Sequence, residues 1–238
     1  TTPPTGPVFI SLPGDILNDE ADLNLMSSTR VETATRPSDE LLDRLARRLL
    51  QAKSPVIVAG DEVATSNAFA EASRFAEVLG APVYQQTVTS AAHYPSEHVC
   101  FIGAPGRDQK KVREILSEHD LLILLGSDQL RMSVLSTVEA LPDGMPIVEL
   151  GQRDWEMGKN YSSDLAVRAD VRETLAVLNP ALEQLGGDDL AKRAKRSLAE
   201  IETRNWTATR AKARTAMATR AANKPIDVDW LMMTAVDR

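Results

Sequence analysis

The sequence predicts an α/β fold, a doubly wound and mostly parallel sheet with helices on both faces. Three short apolar runs carry the expectation: Pro55-Val56-Ile57-Val58-Ala59-Gly60, Leu121-Leu122-Ile123-Leu124-Leu125-Gly126 and Pro146-Ile147-Val148-Glu149-Leu150-Gly151. A run without polar alternation reads as a strand buried on both faces, and such strands belong to parallel sheets covered by helices. Between the runs lie segments with a helical apolar period, at the spacing of βαβ units. The terminal glycines mark a third feature, a carboxyl edge where the backbone turns sharply and where open α/β sheets bind ligands.

Taken in order, Val8-Phe9-Ile10-Ser11-Leu12 reads as an isolated strand stopped by Pro13-Gly14. Residues 18–37 are polar, end in Arg36-Pro37 and read as a linker. Ser38 caps a helix whose first turn holds Asp39 and Glu40, with Leu41, Leu42, Leu45 and Leu49 as its apolar stripe. After the strand at 55–59, Ser66 is expected to cap a helix burying Phe69, Ala72, Phe75, Ala76 and Leu79, closed by Gly80. Ala81-Pro82-Val83-Tyr84 is a short strand, and residues 86–107 read as a long loop.

A helix near 108–118 packs Val112, Ile115 and Leu116 before the strand at 121–125, and residues 131–140 read as another helix. The strand at 146–150, a short strand at Leu165-Ala166-Val167 and a helix at 171–179 follow, with Pro180 ending or kinking that helix. The α/β domain is thereby placed at residues 38–185. Residues 186–224 form a basic helical linker, and Gly186-Gly187 reads as a helix C-cap. Residues 225–238 begin a further apolar helix with Trp230-Leu231-Met232-Met233.

Composition narrows the function classes. With 238 residues and 43% apolar content, a sizeable core is affordable, and aromatic content of 4% means aliphatic packing. No run reaches the ~20 apolar residues of a membrane span. The opening Thr1-Thr2-Pro3-Pro4 lacks the basic and apolar regions of a signal peptide, so a cytoplasmic location is expected. A single cysteine, Cys100, fits a reducing compartment. The net charge of −7 is uneven: residues 191–224 carry about +8, leaving about −15 elsewhere. That basic stretch has one aromatic, Trp206, and few apolar positions, so it reads as a solvated helix face, with neither nucleic acid nor membrane as partner.

Chemistry-bearing motifs are few. His93, Glu97, His98 and Cys100 share one loop at a spacing that fits no zinc pattern, and a Cys100–His98 nucleophile lacks an orienting group. His119 is expected at the surface of a helix end. No G-x-S-x-G, G-x-x-x-x-G-K-[ST] or G-x-G-x-x-G spacing occurs. Gly103-Ala104-Pro105-Gly106 opens a helix, and its backbone N–H groups, with Arg107, Lys110 and Lys111, suit a phosphate as well as they suit two plain turns.

Several segments together resemble the central domain of thiamine-diphosphate-dependent 2-oxo acid enzymes, with acetolactate synthase and benzoylformate decarboxylase as the nearest types. Glu156-Met157-Gly158-Lys159-Asn160-Tyr161 matches the E-I-G-K-N-Y motif that follows an apolar strand there. Ser54 to Gly60 resembles the first strand of that domain, Ala81-Pro82-Val83 the second, His98 to Gly103 the H-P-x-F-x-G loop, and Leu124-Leu125-Gly126-Ser127 the end of a later strand. Gly6 to Asp15 is similar to the closing strand of a preceding pyrimidine-binding domain (residues 1–17), and Pro225 onward to the start of a diphosphate-binding domain.

The resemblance implies a Rossmann-like scaffold whose parent enzyme uses thiamine diphosphate and Mg2+, held by the pyrimidine- and diphosphate-binding domains. It also implies a homo-oligomeric parent. The activating glutamate and the G-D-G…N motif of the family belong to those domains and have no counterpart in this chain, so no catalytic or metal-ligating residue is expected and the chain alone should be inactive. Some relatives hold FAD or ADP at the carboxyl edge of this sheet. The corresponding contacts here would be Gly60, Gly103, Gly106, Gly126, Ser127 and Arg131, although the two acidic positions after the fourth strand are Gly151 and Arg153. The alternative is a stand-alone module binding FAD, ADP or NAD at that edge.

Overall fold

The computed structural model describes residues 6–24, 26–27, 29, 31–88, 92–134, 136–222 and 224–236. Thr1 to Pro4 therefore lie outside the described residues. The chain divides into two units, Thr1–Ala34 and Thr35–Arg238. In the first, the described residues hold one 3-10 turn, Ile16–Asn18, capped by the Asp15 carboxylate. The strand expected at Val8–Leu12 is not formed, because a strand needs a hydrogen-bonded neighbour and this segment has none among the described residues.

The second unit contains the predicted α/β fold. Six strands form one parallel sheet: β1 (Pro55–Ala59), β2 (Val83–Gln85), β3 (Phe101–Gly103), β4 (Leu121–Leu125), β5 (Ile147–Gly151) and β6 (Leu165–Arg168). Their spatial order is β3-β2-β1-β4-β5-β6, so the winding reverses between β1 and β4. The pleat sends alternate residues to opposite faces. Ile57, Leu121, Ile123, Leu125 and Val148 enter one core with α1 (Asp39–Gln51), α3 (Phe69–Leu79) and the first half of α5 (Val171–Glu202). Val56, Val58, Leu122, Leu124 and Ile147 enter a second core under α4 (Gln109–Leu116), with Leu130, Ala140 and Met145 from the following loop.

Helix ends follow the chemistry of their residues. Ser38 accepts from the Leu41 N–H at the start of α1, and Asp108 accepts from the Lys110 and Lys111 N–H groups at the start of α4. Gly80 ends α3 in the left-handed region, and its bare Cα is needed for packing too: a Cβ there would stand 2.7 Å from the Ala194 Cα.

Four expectations are corrected. Ser66 ends a helix instead of starting one, because Asp61 to Thr65 form α2 with Gly60 at its N-cap, and α3 begins from Ala68. The loop at 86–107 contains β3, too short to read as an apolar run. Residues 131–134 and 136–140 carry no helix; the segment is irregular and makes an isolated bridge from Val134 to Asp108. Finally, α5 runs through Pro180, where Leu178 and Leu182 hold both sides of the proline in the core, and the break comes at Gly187 (φ 53°, ψ −151°). Beyond it lie α6 (Trp206–Ala218) and α7 (Val228–Val236). No helix among the described residues is long and apolar enough to cross a membrane.

Candidate functional site

The reversal of strand order puts the carboxyl ends of β1 and β4 side by side, which in open α/β sheets is the ligand crevice. Here that crevice is closed by the chain itself. The Gly60 N–H donates to Leu125 O at 3.0 Å, and the Glu62 N–H donates to Gly126 O at 3.0 Å. A Cβ on Gly60 would stand 2.3 Å from the Ser127 Cα and 2.4 Å from the Gly126 carbonyl oxygen. On Gly126, held at φ 56°, it would stand 2.7 Å from the Glu62 Cβ. Gly60, Gly126 and Ser127 are thus brought together, with backbone seated on backbone.

Charged side chains continue the closure across the edge. The Glu62 carboxylate accepts from Gln152 N (2.5 Å), Arg153 N (3.2 Å) and Arg153 Nε (2.9 Å). Arg153 Nη1 lies 3.0 Å from Asp128 Oδ1, a charge contact without hydrogen-bond alignment. Asp128 meets Arg131 at 2.9 Å, Arg131 meets Glu156 at 3.2 Å, and Glu156 meets Lys159 at 3.1 Å. Signs alternate along the row. Burial disfavours the Arg153 cation, but the Glu62 bond and the charges of Asp128, Glu62 and Asp61 outweigh it and raise its pKa. Burial likewise pushes the Glu156 carboxyl up, and the bonds from Lys159 and Arg131 bring it below the usual range. Arg131, one of the expected nucleotide contacts, is engaged by two carboxylates.

The other expected contacts lie elsewhere. Gly103 ends β3, two strands away from β1, and a Cβ there would meet the Trp206 ring of α6 at 3.2 Å. Gly106 serves a turn at φ 86° with nothing within 4 Å of a Cβ.

The polar loop histidines part company. His93, 2% exposed, places Nε2 2.5 Å from Asp61 Oδ1, while Gln86 Nε2 donates to Asp61 Oδ2 at 3.1 Å. His98 instead joins Tyr94 and Glu77, beside the buried Cys100. His119, expected at the surface, has a half-buried ring near Ser54, and burial lowers its pKa. Among the described residues no three His, Cys, Asp or Glu side chains group to hold a metal ion.

Burial, with the Glu77 charge adding to it, pushes the Cys100 thiol up to about 12. A thiol raised from 9.0 to about 12 contributes stability that is fully present below pH 9 and falls as pH rises between those values. Cys100 is therefore expected to resist a thiol reagent such as DTNB at pH 8 and to react fully once the chain is unfolded in urea. Rapid labelling of the folded chain would contradict this.

Sequence reasoning missed the buried polar group that holds the edge loop. Glu149 sits in the middle of β5 at 2% exposure and accepts from Gln129 Nε2 (2.7 Å), from the Gly158 N–H (2.9 Å) and from the Ser163 hydroxyl. Gln129 Oε1 in turn accepts from the Asn160 and Tyr161 N–H groups, at 2.5 and 3.0 Å, and its Nε2 donates to Tyr161 O at 2.8 Å. The Glu156–Tyr161 motif is thereby explained as a loop clamped by two buried side chains. A carboxylate inside an otherwise apolar run was the available signal, since such a group must be partnered.

The arrangement defines a class: a Rossmann-ordered α/β scaffold whose ligand edge is filled by its own backbone and side chains. Comparison with known proteins identifies the family. The model of the thiamine pyrophosphate enzyme central domain matches residues 42–178, and the chain belongs to that family. Benzoylformate decarboxylase of Pseudomonas aeruginosa is 29% identical over 185 residues, which is 77% of this chain and 34% of that protein. The acetolactate synthase large subunit of Corynebacterium glutamicum is 28% identical over 180 residues, covering 73% and 28%. Among solved structures, the thiamine diphosphate-dependent 4-hydroxybenzoylformate decarboxylase of Rhodococcus jostii superposes with a TM-score of 0.60 at 26% identity, covering 65% of this chain and 29% of that one. The chain thus spans about a third of the length of the curated relatives it matches.

Proposed function

We propose that this chain is the scaffold domain of a thiamine diphosphate-dependent 2-oxo acid decarboxylase or acetolactate-synthase-type enzyme, cytoplasmic and homo-oligomeric, and that it spaces the pyrimidine- and diphosphate-binding domains without taking part in the chemistry. The closed crevice at Gly60 and Gly126 carries the reading, because it leaves the sheet edge with a structural task. In such an enzyme thiamine diphosphate supplies the electron sink for a 2-oxo acid. The donor set here does not fit Mg2+, since its edge carboxylates are committed to arginines, a lysine and backbone N–H groups. Nor does the edge suit FAD or ADP, because Arg131 is already neutralised and the backbone gap is filled. The buried, unpaired Cys100 accords with a reducing compartment.

The test is direct. The purified chain with thiamine diphosphate and Mg2+ is expected to release no carbon dioxide from benzoylformate or pyruvate above a protein-free blank. Calorimetry with FAD, ADP and NAD is expected to be silent at millimolar concentration. Turnover would overturn the scaffold reading, and heat from any of the three nucleotides would restore the binding-module alternative.

A further inference from the structure

The turn after β5 has the chemistry of an oxyanion receptor. Two successive backbone N–H groups, of Gln152 and Arg153, and the Arg153 Nε–H converge on the same carboxylate, that of Glu62. The Glu62 side chain is 11% exposed and reaches them only because Gly151 lacks a side chain: a Cβ there would stand 2.8 Å from Glu62 Oε2. One further donor, Arg153 Nη2, is buried without an acceptor, so the guanidinium has more to give than Glu62 takes.

We propose that this turn is a carboxylate-binding cradle and that Glu62 is its built-in occupant, which keeps it shut to external carboxylates. The cradle does not need Glu62 for its shape. Gly151 is paired to Arg168 of β6, and its carbonyl accepts from the Ala169 N–H at 2.8 Å. The Gln152 side-chain amide donates to Asp170 at 3.1 Å, and Arg153 is drawn to Asp128 at 3.0 Å. The carboxylates that face the cradle are themselves engaged, Asp128 by Arg131 and Arg153, and Asp61 by His93 and Gln86. Removing Glu62 would leave the Gln152 and Arg153 N–H groups and the Arg153 Nε–H without the acceptor they share. The atoms lost in Glu62→Ala beyond Cβ correspond to acetate, so acetate is the ligand of matching size and charge.

The experiment is chemical rescue of Glu62→Ala in the full chain, with chloride at equal ionic strength as reference. Acetate is expected to raise the melting temperature of the variant by about 3 °C, through binding to the folded state alone, and to leave the unsubstituted chain unchanged. Amide NMR signals of Gln152 and Arg153 should move saturably with acetate, and adding Arg153→Ala should abolish both effects. A folded variant indifferent to acetate overturns the proposal, as does an equal rise in the unsubstituted chain. Should Glu62→Ala fail to fold in chloride, refolding in acetate alone supports the cradle, and failure in both salts overturns it. None of these readouts depends on turnover or on nucleotide heat, so the scaffold reading stands or falls separately.

Discussion

Replacing Gly60 with alanine is expected to destabilise the chain by about 3 kcal/mol or more, among the largest effects of any single methyl group added to it. The reason is what the methyl meets: the Ser127 Cα at 2.3 Å and the Gly126 carbonyl oxygen at 2.4 Å, both backbone. Neither can turn aside as a side chain would. The new atom must instead part the ends of β1 and β4, where the Gly60 N–H donates to Leu125 O. Gly106→Ala is the matched control. Its site is open, so only the φ of 86° penalises it, at about 1–2 kcal/mol. Urea unfolding midpoints of the two variants decide the matter. If Gly60→Ala proved the milder of the two, the crevice would have room to spare and the closed-edge reading would fail.

Removal of the Glu149 carboxylate is the second large effect. Glu149→Ala leaves the Gln129 amide, the Gly158 N–H and the Ser163 hydroxyl without their common acceptor inside the fold. A buried donor left unpaired costs about 1–3 kcal/mol; Gln129 keeps its bond to Tyr161 O, and Gly158 and Ser163 lie nearer solvent, so the total should be about 3 kcal/mol. All three donors point at Oε1, so Glu149→Gln can keep them on its amide oxygen while losing the charge, and it should cost well under half as much as the alanine variant. A local readout separates this from general loosening: exchange of the Gly158 amide should accelerate far more than that of the β4 amides. Equal acceleration at both would mean that Glu149 supports the whole sheet and does not clamp the loop.

The sequence disclosed the sheet because the sheet is built from what periodicity reports. Residues 55–59 and 121–125 have no polar alternation, and the structure buries every one of them on both faces. The helix cap at Ser38 and the closing glycine at Gly80 were legible because such residues act through their nearest neighbours in the chain. What stayed hidden was settled by distant partners. β3 is a strand because Val83 and Tyr84 pair with Phe101 and Gly103, not because its three residues insist on it. Pro180 stays inside a helix because Leu178 and Leu182 are core residues. At the edge, the glycines were visible but their purpose was not. The same residue that lets a ligand approach also lets a neighbouring loop approach, and only the positions of Ser127, Gly126 and Glu62 decide between them.

The sheet is widest in its middle. β1, β4 and β5 have five residues each, while the outermost strands, β3 and β6, have three and four. An outer strand offers a row of unpaired backbone groups to any passing chain, and its reach as a template grows with its length. β3 presents only a few such groups, beside the Trp206 ring that packs on Gly103. The tapering outline therefore protects against sheet-to-sheet aggregation: the long apolar strands that drive folding are the ones no second molecule can reach.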